Sequence, residues 1–236
     1  MKESPAIVVF GREPVPGRAK TRLLSHLGPG DAAALADAFF LDTIAKAAAL
    51  RPSRLVVAGT AQAPVSQSAY FRDVARRFRA ELLDQGDGDL GHRMERSLRP
   101  YCEGAGALLV GTDLPSLPIS VLHRLVELLL RRRIVIGPSL DGGFYAVGVR
   151  GPMPPMFDGV RWNTSNVLDQ TVAAIKRAGR AVTLGPVWYD VDRWGELILL
   201  GAHLARIETT ISGATEHPCP RTASVMRRLG LLPRRR

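Results

Sequence analysis

The sequence predicts a single α/β domain whose sheet is mainly parallel and carries helices on both faces. Short apolar segments alternate along the chain with longer segments of helical periodicity, which is typical of strands connected by helices. The first apolar run, AIVVF at residues 6–10, is continuous, as expected of a strand that is buried on both faces. The chain has 236 residues, of which 46% are hydrophobic, and this is enough for the core of one such domain.

The remaining elements follow from the same patterns. Asp31 can cap the first helix, and Thr164 or Ser165 can cap the fifth, which Gly179 ends. The predicted strands are residues 6–10, 54–59, 80–84, 107–111, 134–138, 143–149 and 181–185. The predicted helices are residues 31–50, 70–78, 90–102, 118–132, 164–179 and about 194–207.

The end of the chain differs in composition from the rest. We predict a domain over residues 1–211 and an Arg-rich tail over residues 212–236, which we expect to be disordered or loosely docked. The net charge is +10, but residues 218–236 contain six arginines and no acid, so the excess is partly a property of the tail. Nucleic-acid binding, non-specific and through this tail, is therefore the most distant of the functions considered.

Cysteine and hydropathy patterns exclude several classes of protein. Cys102 and Cys219 are far apart and belong to no metal-binding motif, which predicts a reducing compartment and no structural zinc. No apolar run approaches the ~18 residues of a membrane span. We expect a soluble cytoplasmic protein with no membrane partner. A covalent hydrolase is disfavoured because the sequence contains neither G-x-S-x-G nor a Cys/His arrangement.

The loop after the first strand, GREPVPGRAKTR at residues 11–22, concentrates positive charge. Arg18, Lys20 and Arg22 alternate with small residues behind a Pro-Gly turn. Exposed backbone N–H groups together with cations suit a polyphosphate, although a solvated basic loop is the alternative interpretation. The loop is not a Walker A motif, because Lys20 does not follow a glycine directly.

Acidic residues follow several later strands. Asp113 comes directly after the fourth strand, and Asp190 and Asp192 point to the same side of an extended segment. Such carboxylates suit a hard divalent cation, whereas Asp113 could instead cap the next helix. Residues 141–143, Asp-Gly-Gly, form either a hairpin turn or a carboxylate held in a cleft. The glycines of residues 84–94 suit backbone contact with a base or a ribose.

The ordered motifs FGREPVPGRAKTRL, GDLGHRM, GTDLP, LDGGFYAVG, WNT and DVD resemble a family of bacterial transferases. These are the radical-SAM/selenodomain-associated transferases of the nucleotide-diphospho-sugar transferase superfamily, which has the GT-A fold. The resemblance covers about residues 6–200 and extends more distantly to guanylyltransferases that act on molybdopterin or 2-phospholactate. It implies a single Rossmann-type GT-A domain that uses a nucleoside triphosphate or nucleotide sugar, Mg²⁺ or Mn²⁺, and a small-molecule acceptor.

The resemblance also implies roles for individual residues. Gly17, Arg18, Lys20 and Arg22 would face the phosphates, with Lys20, Arg18 and Asp113 in the catalytic roles. Gln85, Gly88 and Asp89 would lie near the nucleoside. Asp113 and Asp192 would hold the metal, and Asp141, Gly142 and Trp162 would line the acceptor side.

These expectations favour nucleotidyl transfer from a nucleoside triphosphate to a small acceptor, with release of pyrophosphate. Three cations in the first loop match the charge of a triphosphate better than that of a diphosphate. Glycosyl transfer from a nucleotide sugar is the alternative, because it uses the same metal and the same contacts to a diphosphate.

Overall fold

Seven strands form one sheet in the order β3-β2-β1-β4-β6-β5-β7 in a computed structural model that describes residues 4–210 and 218–232. The strands are β1 Ala6–Arg12, β2 Leu55–Thr60, β3 Glu81–Asp84, β4 Ala107–Gly111, β5 Ile134–Pro138, β6 Phe144–Val149 and β7 Thr183–Leu184. In this part of the chain six strands run in one direction, and β6 is antiparallel to its neighbours β4 and β5. The predicted mainly parallel sheet is confirmed.

Helices cover both faces of the sheet because side chains alternate along the strands. Ile7 and Val9 of β1 face a cluster that includes residues of the first, second and fourth helices, whereas Ala6 and Val8 face the third and fifth. The helices are α1 Pro29–Ala49, α2 Ala69–Phe78, α3 Leu90–Leu98, α4 Ile119–Arg132, α5 Val167–Arg177, α6 Trp194–Thr210 and α7 Pro220–Arg228. No helix within the described residues combines the length and apolar character that a membrane span requires.

All thirteen predicted elements are present, and the differences lie at their ends. Helix α1 begins before Asp31, with Gly28 as its N-cap, because Pro29 suits a first helical position that needs no N–H donor. Helix α3 ends at Leu98, and a 3₁₀ turn that contains Pro100 replaces its predicted last residues. The N-cap of α5 is Asn166 rather than Thr164 or Ser165.

Helix α7 was not predicted, and the expectation of a loosely docked end is wrong for residues 218–232. Cys219, Ala223 and Met226 are buried in a cluster with residues of α1 and α6. Asp42 of α1 is also buried, and its carboxylate accepts hydrogen bonds from the backbone N–H groups of Arg221 and Thr222. An acid on α1 thus satisfies the N-terminus of α7, which has no side-chain cap of its own. The predicted domain boundary at 211/212 lies outside the described residues.

The loops that follow the parallel strands meet at one edge of the sheet. The segment after β1, residues 13–20, and the segment after β4, residues 112–118, are neighbours there because β1 pairs with β4. The hairpin turn at residues 139–143 and the segment at residues 185–193 lie beside each other, since Leu140 N donates to Trp188 O and Ser139 pairs with Trp188. This edge, at the carboxyl ends of the strands, is where ligands bind in open α/β sheets.

We expect Met226→Ala to lower the free energy of unfolding by about 2–5 kcal/mol, because it leaves a cavity between α7 and the rest of the core. Arg228→Ala, on the exposed side of the same helix, should change it by less than about 0.5 kcal/mol. Urea denaturation followed by circular dichroism measures both changes. Equal, small losses in the two variants would contradict the packing of α7 on the domain.

Candidate active site

The site is centred on the ammonium group of Lys20, which three oxygen atoms surround. Lys20 Nζ lies 2.5 Å from Asp113 Oδ1, 2.8 Å from the carbonyl oxygen of Val191 and 2.9 Å from Asp192 Oδ1. We call these three atoms the oxygen cage. The Lys20 side chain is 6% exposed, whereas those of Asp113 and Asp192 are 48% and 39% exposed. The structure therefore brings Lys20 together with three residues that lie 93 to 172 positions further along the chain.

Local backbone structure directs Lys20 into this position. The N–H groups of Arg18 and Ala19 both donate to Val15 O, which closes a turn that contains Gly17 at φ 76°. Lys20 itself has φ 48° and ψ 45°, the left-handed conformation that non-glycine residues adopt at a cost of about 1 kcal/mol. A costly backbone conformation at a residue with this side chain is a frequent feature of functional sites.

Contacts that do not involve Lys20 fix the oxygen cage. Val191 N donates to Asp113 O at 2.9 Å, and this bond ties the segment before α6 to the loop after β4. Glu196, in the first turn of α6, accepts hydrogen bonds from Asp192 N at 2.6 Å and from Arg193 N at 2.8 Å. These hydrogen bonds fix the backbone around the cage oxygens without a contribution from Lys20.

The opposite charges of Lys20 and its carboxylate neighbours explain the direction in which the pKa values of Lys20 and Asp192 are shifted. Burial lowers the pKa of Lys20, but Asp113 and Asp192 outweigh it and hold that pKa above the ordinary value of lysine. Burial alone would raise the pKa of Asp192, and the nearby Lys20 ammonium instead holds it below the usual range of a carboxyl. Arg22, 57% exposed, adds a second positive charge 3.5 Å from Asp192 Oδ2.

Asp190 is the carboxylate that the sequence pairs with Asp192 as a candidate cation ligand, and it supplies none of the three oxygens around Lys20. Burial, together with the nearby carboxylates of Asp141, Asp113 and Asp192, raises the pKa of its carboxyl to about 7. A carboxyl that titrates near neutral pH inside a cleft is a candidate for proton transfer. The alternation with Asp192 indicates a carboxylate at this edge, but the raised pKa of Asp190 depends on its burial in the folded chain.

The residues expected near the nucleoside are engaged within the protein. Gln85 is buried, its Nε2 donates to Gly11 O and Ala58 O, and its Oε1 accepts from Thr60 and Arg93. The polar atoms of Gln85 therefore hold the ends of neighbouring strands together.

Asp89 and Gly88 form the entry to α3. Asp89 Oδ1 accepts from His92 N at 2.9 Å, and this bond lowers the pKa of Asp89 below its usual range. Asp89 is the N-cap of α3, and Gly88 precedes it at φ 108°, where a side chain would be strained. These two residues lie beyond β3 at the carboxyl edge of the sheet, with Asp89 exposed.

Two of the residues expected on the acceptor side, Asp141 and Gly142, lie in the turn between β5 and β6. Asp141 accepts hydrogen bonds from Ser139 Oγ and from Gly143 N, so the Asp-Gly-Gly segment is a hairpin turn. At Gly142, with φ 87°, a Cβ atom would lie 1.9 Å from the carbonyl oxygen of Ser165, so only glycine fits. Trp162 packs against Phe144 and Phe157, and the described residues supply no acceptor for its buried Nε1.

A second polar network, which the sequence analysis did not predict, supports the site. Trp188 Nε1 donates to Ser116 Oγ, Ser116 Oγ donates to the Tyr189 hydroxyl, and that hydroxyl lies 2.7 Å from His203 Nδ1. Ser116 belongs to the loop after β4, whereas His203 belongs to α6. The network therefore joins the same two segments that supply the oxygen cage.

The chemistry of the oxygen cage suits a hard divalent cation. Two carboxylates and one backbone carbonyl are the ligands that Mg²⁺, Mn²⁺ and Ca²⁺ accept, and they already converge on a positive charge. Among the described residues, no group of three or more His, Cys, Asp or Glu side chains is arranged to hold a metal ion. A cation here would rely on Asp113, Asp192 and backbone or solvent oxygens.

Comparisons with known proteins agree with the fold. Residues 43–164 match the model of a family described as "Uncharacterized protein conserved in bacteria (DUF2064)", and the chain belongs to this family. No curated protein matches the chain.

The solved structures that match the chain include two bacterial proteins. A crystal structure of a "putative nucleotide-diphospho-sugar transferase" from Desulfovibrio desulfuricans G20 matches with a TM-score of 0.78 and 27% identity, over 97% of this chain and 96% of that one. The structure of Rv0371c from Mycobacterium tuberculosis H37Rv has a TM-score of 0.43 and 16% identity, over 85% of this chain and 98% of that one. The Desulfovibrio match confirms the GT-A-like fold class. Membership of the radical-SAM-associated subfamily stays a prediction.

We expect Asp190→Asn to become progressively more stable than the wild type as the pH rises from about 4 to about 7. In this window the folded protein keeps a proton on Asp190 that the unfolded chain, with a pKa of 3.8, has lost, so wild-type stability falls as the pH rises. The difference should grow by up to about 1.4 kcal/mol per pH unit and then level off. Asp158→Asn, at an exposed carboxyl, controls for the change in net charge, and urea denaturation across this range measures both variants. A difference that does not vary with pH would contradict the raised pKa of Asp190.

Proposed function

We propose that this member of the DUF2064 family is a metal-dependent transferase that acts on a nucleotide, with nucleotidyl transfer from a nucleoside triphosphate as its reaction. One observation carries the proposal: the cationic loop after β1 is fastened, through Lys20, to the carboxylates of Asp113 and Asp192. A site for a polyphosphate needs cations on one side and carboxylates for a metal on the other, and this edge of the sheet presents both.

The phosphates would bind to the exposed face of the loop after β1. Arg18 and Arg22 are exposed there, on either side of the buried Lys20 ammonium. Gly17 leaves open space where a side chain would otherwise stand, so backbone can approach a phosphate closely. Two guanidinium groups and a turn of backbone amides are suited to anionic oxygens separated by a few ångströms.

Asp113 and Asp192 are the residues that would hold Mg²⁺ or Mn²⁺. Bound there, the ion would supply Lewis-acid stabilisation of the charge on phosphate oxygens. The chain positions both carboxylates, since Glu196 fixes the backbone of Asp192 and Val191 fixes that of Asp113.

In the proposed reaction an acceptor oxygen attacks the α-phosphorus, the bond from that phosphorus to the bridging oxygen breaks, and pyrophosphate leaves. The chain positions the reactants and neutralises the charge of the leaving group through Arg18 and Arg22, with no covalent intermediate. The acceptor would bind near Asp141, Gly142 and Trp162. Asp190 faces the carboxylates of this cleft and is suited to take the proton of the acceptor hydroxyl.

Glycosyl transfer from a nucleotide sugar is the second candidate. The Desulfovibrio protein, which is similar over nearly the whole chain, carries the name of a nucleotide-diphospho-sugar transferase. The same arginines and carboxylates would then hold a diphosphate, and the sugar would occupy the region near Asp141 and Trp162. We rank it second because a loop with three cations exceeds what a diphosphate needs.

Asp113→Asn and Asp192→Asn should each remove the part of nucleoside triphosphate binding that depends on a divalent cation. A neutral amide is a poor ligand for a hard cation, and the loss of one of two carboxylates leaves too few strong ligands. A thermal-shift screen of the common nucleoside triphosphates, with and without Mg²⁺ or Mn²⁺, identifies the ligand for calorimetry on both variants. Asp158→Asn is the matched control. Metal-dependent binding that survives in both variants would make the two carboxylates structural.

Discriminating the two reactions requires ligands that differ in phosphate number. Nucleotidyl transfer predicts that the triphosphate binds markedly better than the matching nucleotide sugar and that pyrophosphate inhibits as a product. Arg18→Ala should then weaken triphosphate binding by about 1 kcal/mol or more, because each charge-assisted pairing is worth that much in a partly dehydrated cleft. Arg177→Ala, an exposed arginine of α5, should leave the affinity unchanged. Tighter binding of the nucleotide sugar without pyrophosphate inhibition would reverse the ranking in favour of glycosyl transfer.

A further inference from the structure

The oxygen cage has the composition of a metal site but is arranged around an amine of the protein itself. Its three oxygen atoms lie 2.5–2.9 Å from a single point, the Nζ atom of Lys20. An ammonium group donates only three hydrogen bonds, and each of these oxygens accepts one. A lysine whose side chain is 6% exposed thus has every donor satisfied inside the cleft.

The cage does not depend on Lys20 for its shape. The Val191 backbone is held by its bond to Asp113, and the Asp192 backbone is held by Glu196. If the Lys20 ammonium left, the segments that carry the three oxygens would therefore stay close together, and Arg22 would be the only cation among the described residues that still pairs with either carboxylate. A second cation is the group that would relieve the repulsion between the carboxylates.

The loop that carries Lys20 contacts the carboxylates of the cage through two side chains, those of Lys20 and Arg22. Gly17, Arg18, Thr21 and Arg22 are exposed, and the hydrogen bonds of the turn are made within the loop itself. The backbone of Lys20 is in the left-handed region, which a non-glycine residue adopts at a cost. Leaving the cage can release this conformation, and the ammonium would then lie beside Arg18 and Arg22.

The net charge of the site differs between a state with the Lys20 ammonium in the cage and a state with it outside. With Lys20 in the cage, Asp113 and Asp192 are neutralised by Lys20 and Arg22, and a divalent cation would meet a site with no net negative charge. With Lys20 outside, only Arg22 of the described residues still pairs with the two carboxylates, so the site has a net negative charge that attracts a divalent cation. A bound polyphosphate favours the second state, because it attracts the Lys20 ammonium towards the arginines of its own loop.

We propose that the oxygen cage has two alternative occupants, the Lys20 ammonium and a divalent cation, so that Lys20 suppresses metal binding until a polyphosphate draws its ammonium out. This rests on the proposed function only for the identity of the polyphosphate. Metal and polyphosphate then bind cooperatively, since each favours the state in which Lys20 has left the cage. The apparent affinity for metal alone is reduced by the small fraction of molecules in that state.

The first test is calorimetric titration of Mn²⁺ alone into wild type, Lys20→Met and Lys176→Met. Lys176 is exposed on α5, so its substitution removes the same charge outside the cage. Lys20→Met should bind Mn²⁺ at least about tenfold more tightly than the other two proteins, because the competitor is gone. Equal affinity in all three proteins would overturn competition while leaving the proposed transferase intact. Absence of Mn²⁺ binding in all three would overturn the cage as a metal site.

The second test uses the wild type, so it does not depend on how Lys20→Met folds. The chain has four lysines, and amine acetylation followed by mass spectrometry reports the reactivity of each one. Lys20 should be protected without additions and should become several-fold more reactive when Mn²⁺ is added. Lys46, buried between Pro115 O and Leu117 O, should stay protected, and Lys176 should stay reactive. Unchanged Lys20 reactivity at a Mn²⁺ concentration that saturates binding would overturn the exchange. Exchange without any affinity for nucleotides would instead contradict the proposed function alone.

Discussion

The charge on Lys20 is the constraint on which the organisation of the site depends. An ammonium group that is almost wholly removed from water requires opposite charge and three acceptors, and any loop that lacked them would expel it. Asp113, Asp192 and the Val191 carbonyl meet that requirement from two segments far apart in the sequence. The loop after β1, the loop after β4 and the segment before α6 are thereby held at one place on the sheet edge.

Support for this arrangement extends to the C-terminal part of the chain. The segment before α6 is fixed by Glu196 at its end and by the contact of Tyr189 with Ser116 and His203. Helix α6 in turn packs with α1 and α7 in one apolar cluster, to which Val191 also belongs. Helix α7 lies about two hundred residues from the first loop, yet it packs on the helix that follows that loop. Helix α7 therefore supports the site indirectly, because it packs on α1 and α6.

Individual residues show where prediction from sequence succeeds. The strands could be predicted because short continuous apolar runs, such as residues 6–10 and 107–111, are typical of strands that are buried on both faces. Asp113 was singled out because it follows a buried strand, and Asp192 because it alternates with Asp190 in the DVD motif. The structure brings the two together on one ammonium. The expectation that Gln85 lies near a nucleoside stays a prediction, whereas its amide joins the ends of neighbouring strands, a role that no local pattern reveals. Helix α7 was not predicted because the six arginines of this segment made it resemble a solvated tail. The helical spacing of four and three residues between Cys219, Ala223 and Met226 was therefore overlooked.

The sequence by itself determined the order and type of the elements, the parallel character of the sheet and the edge on which the polar loops gather. These follow from local periodicity and from the rule that parallel strands end on the same side. Only the tertiary structure decided that Lys20 turns inward, that Asp190 is held among carboxylates and that the basic end of the chain contains a packed helix. Each of these depends on contacts between residues that are distant in sequence, and the balance of burial against charge at such contacts has no local signature.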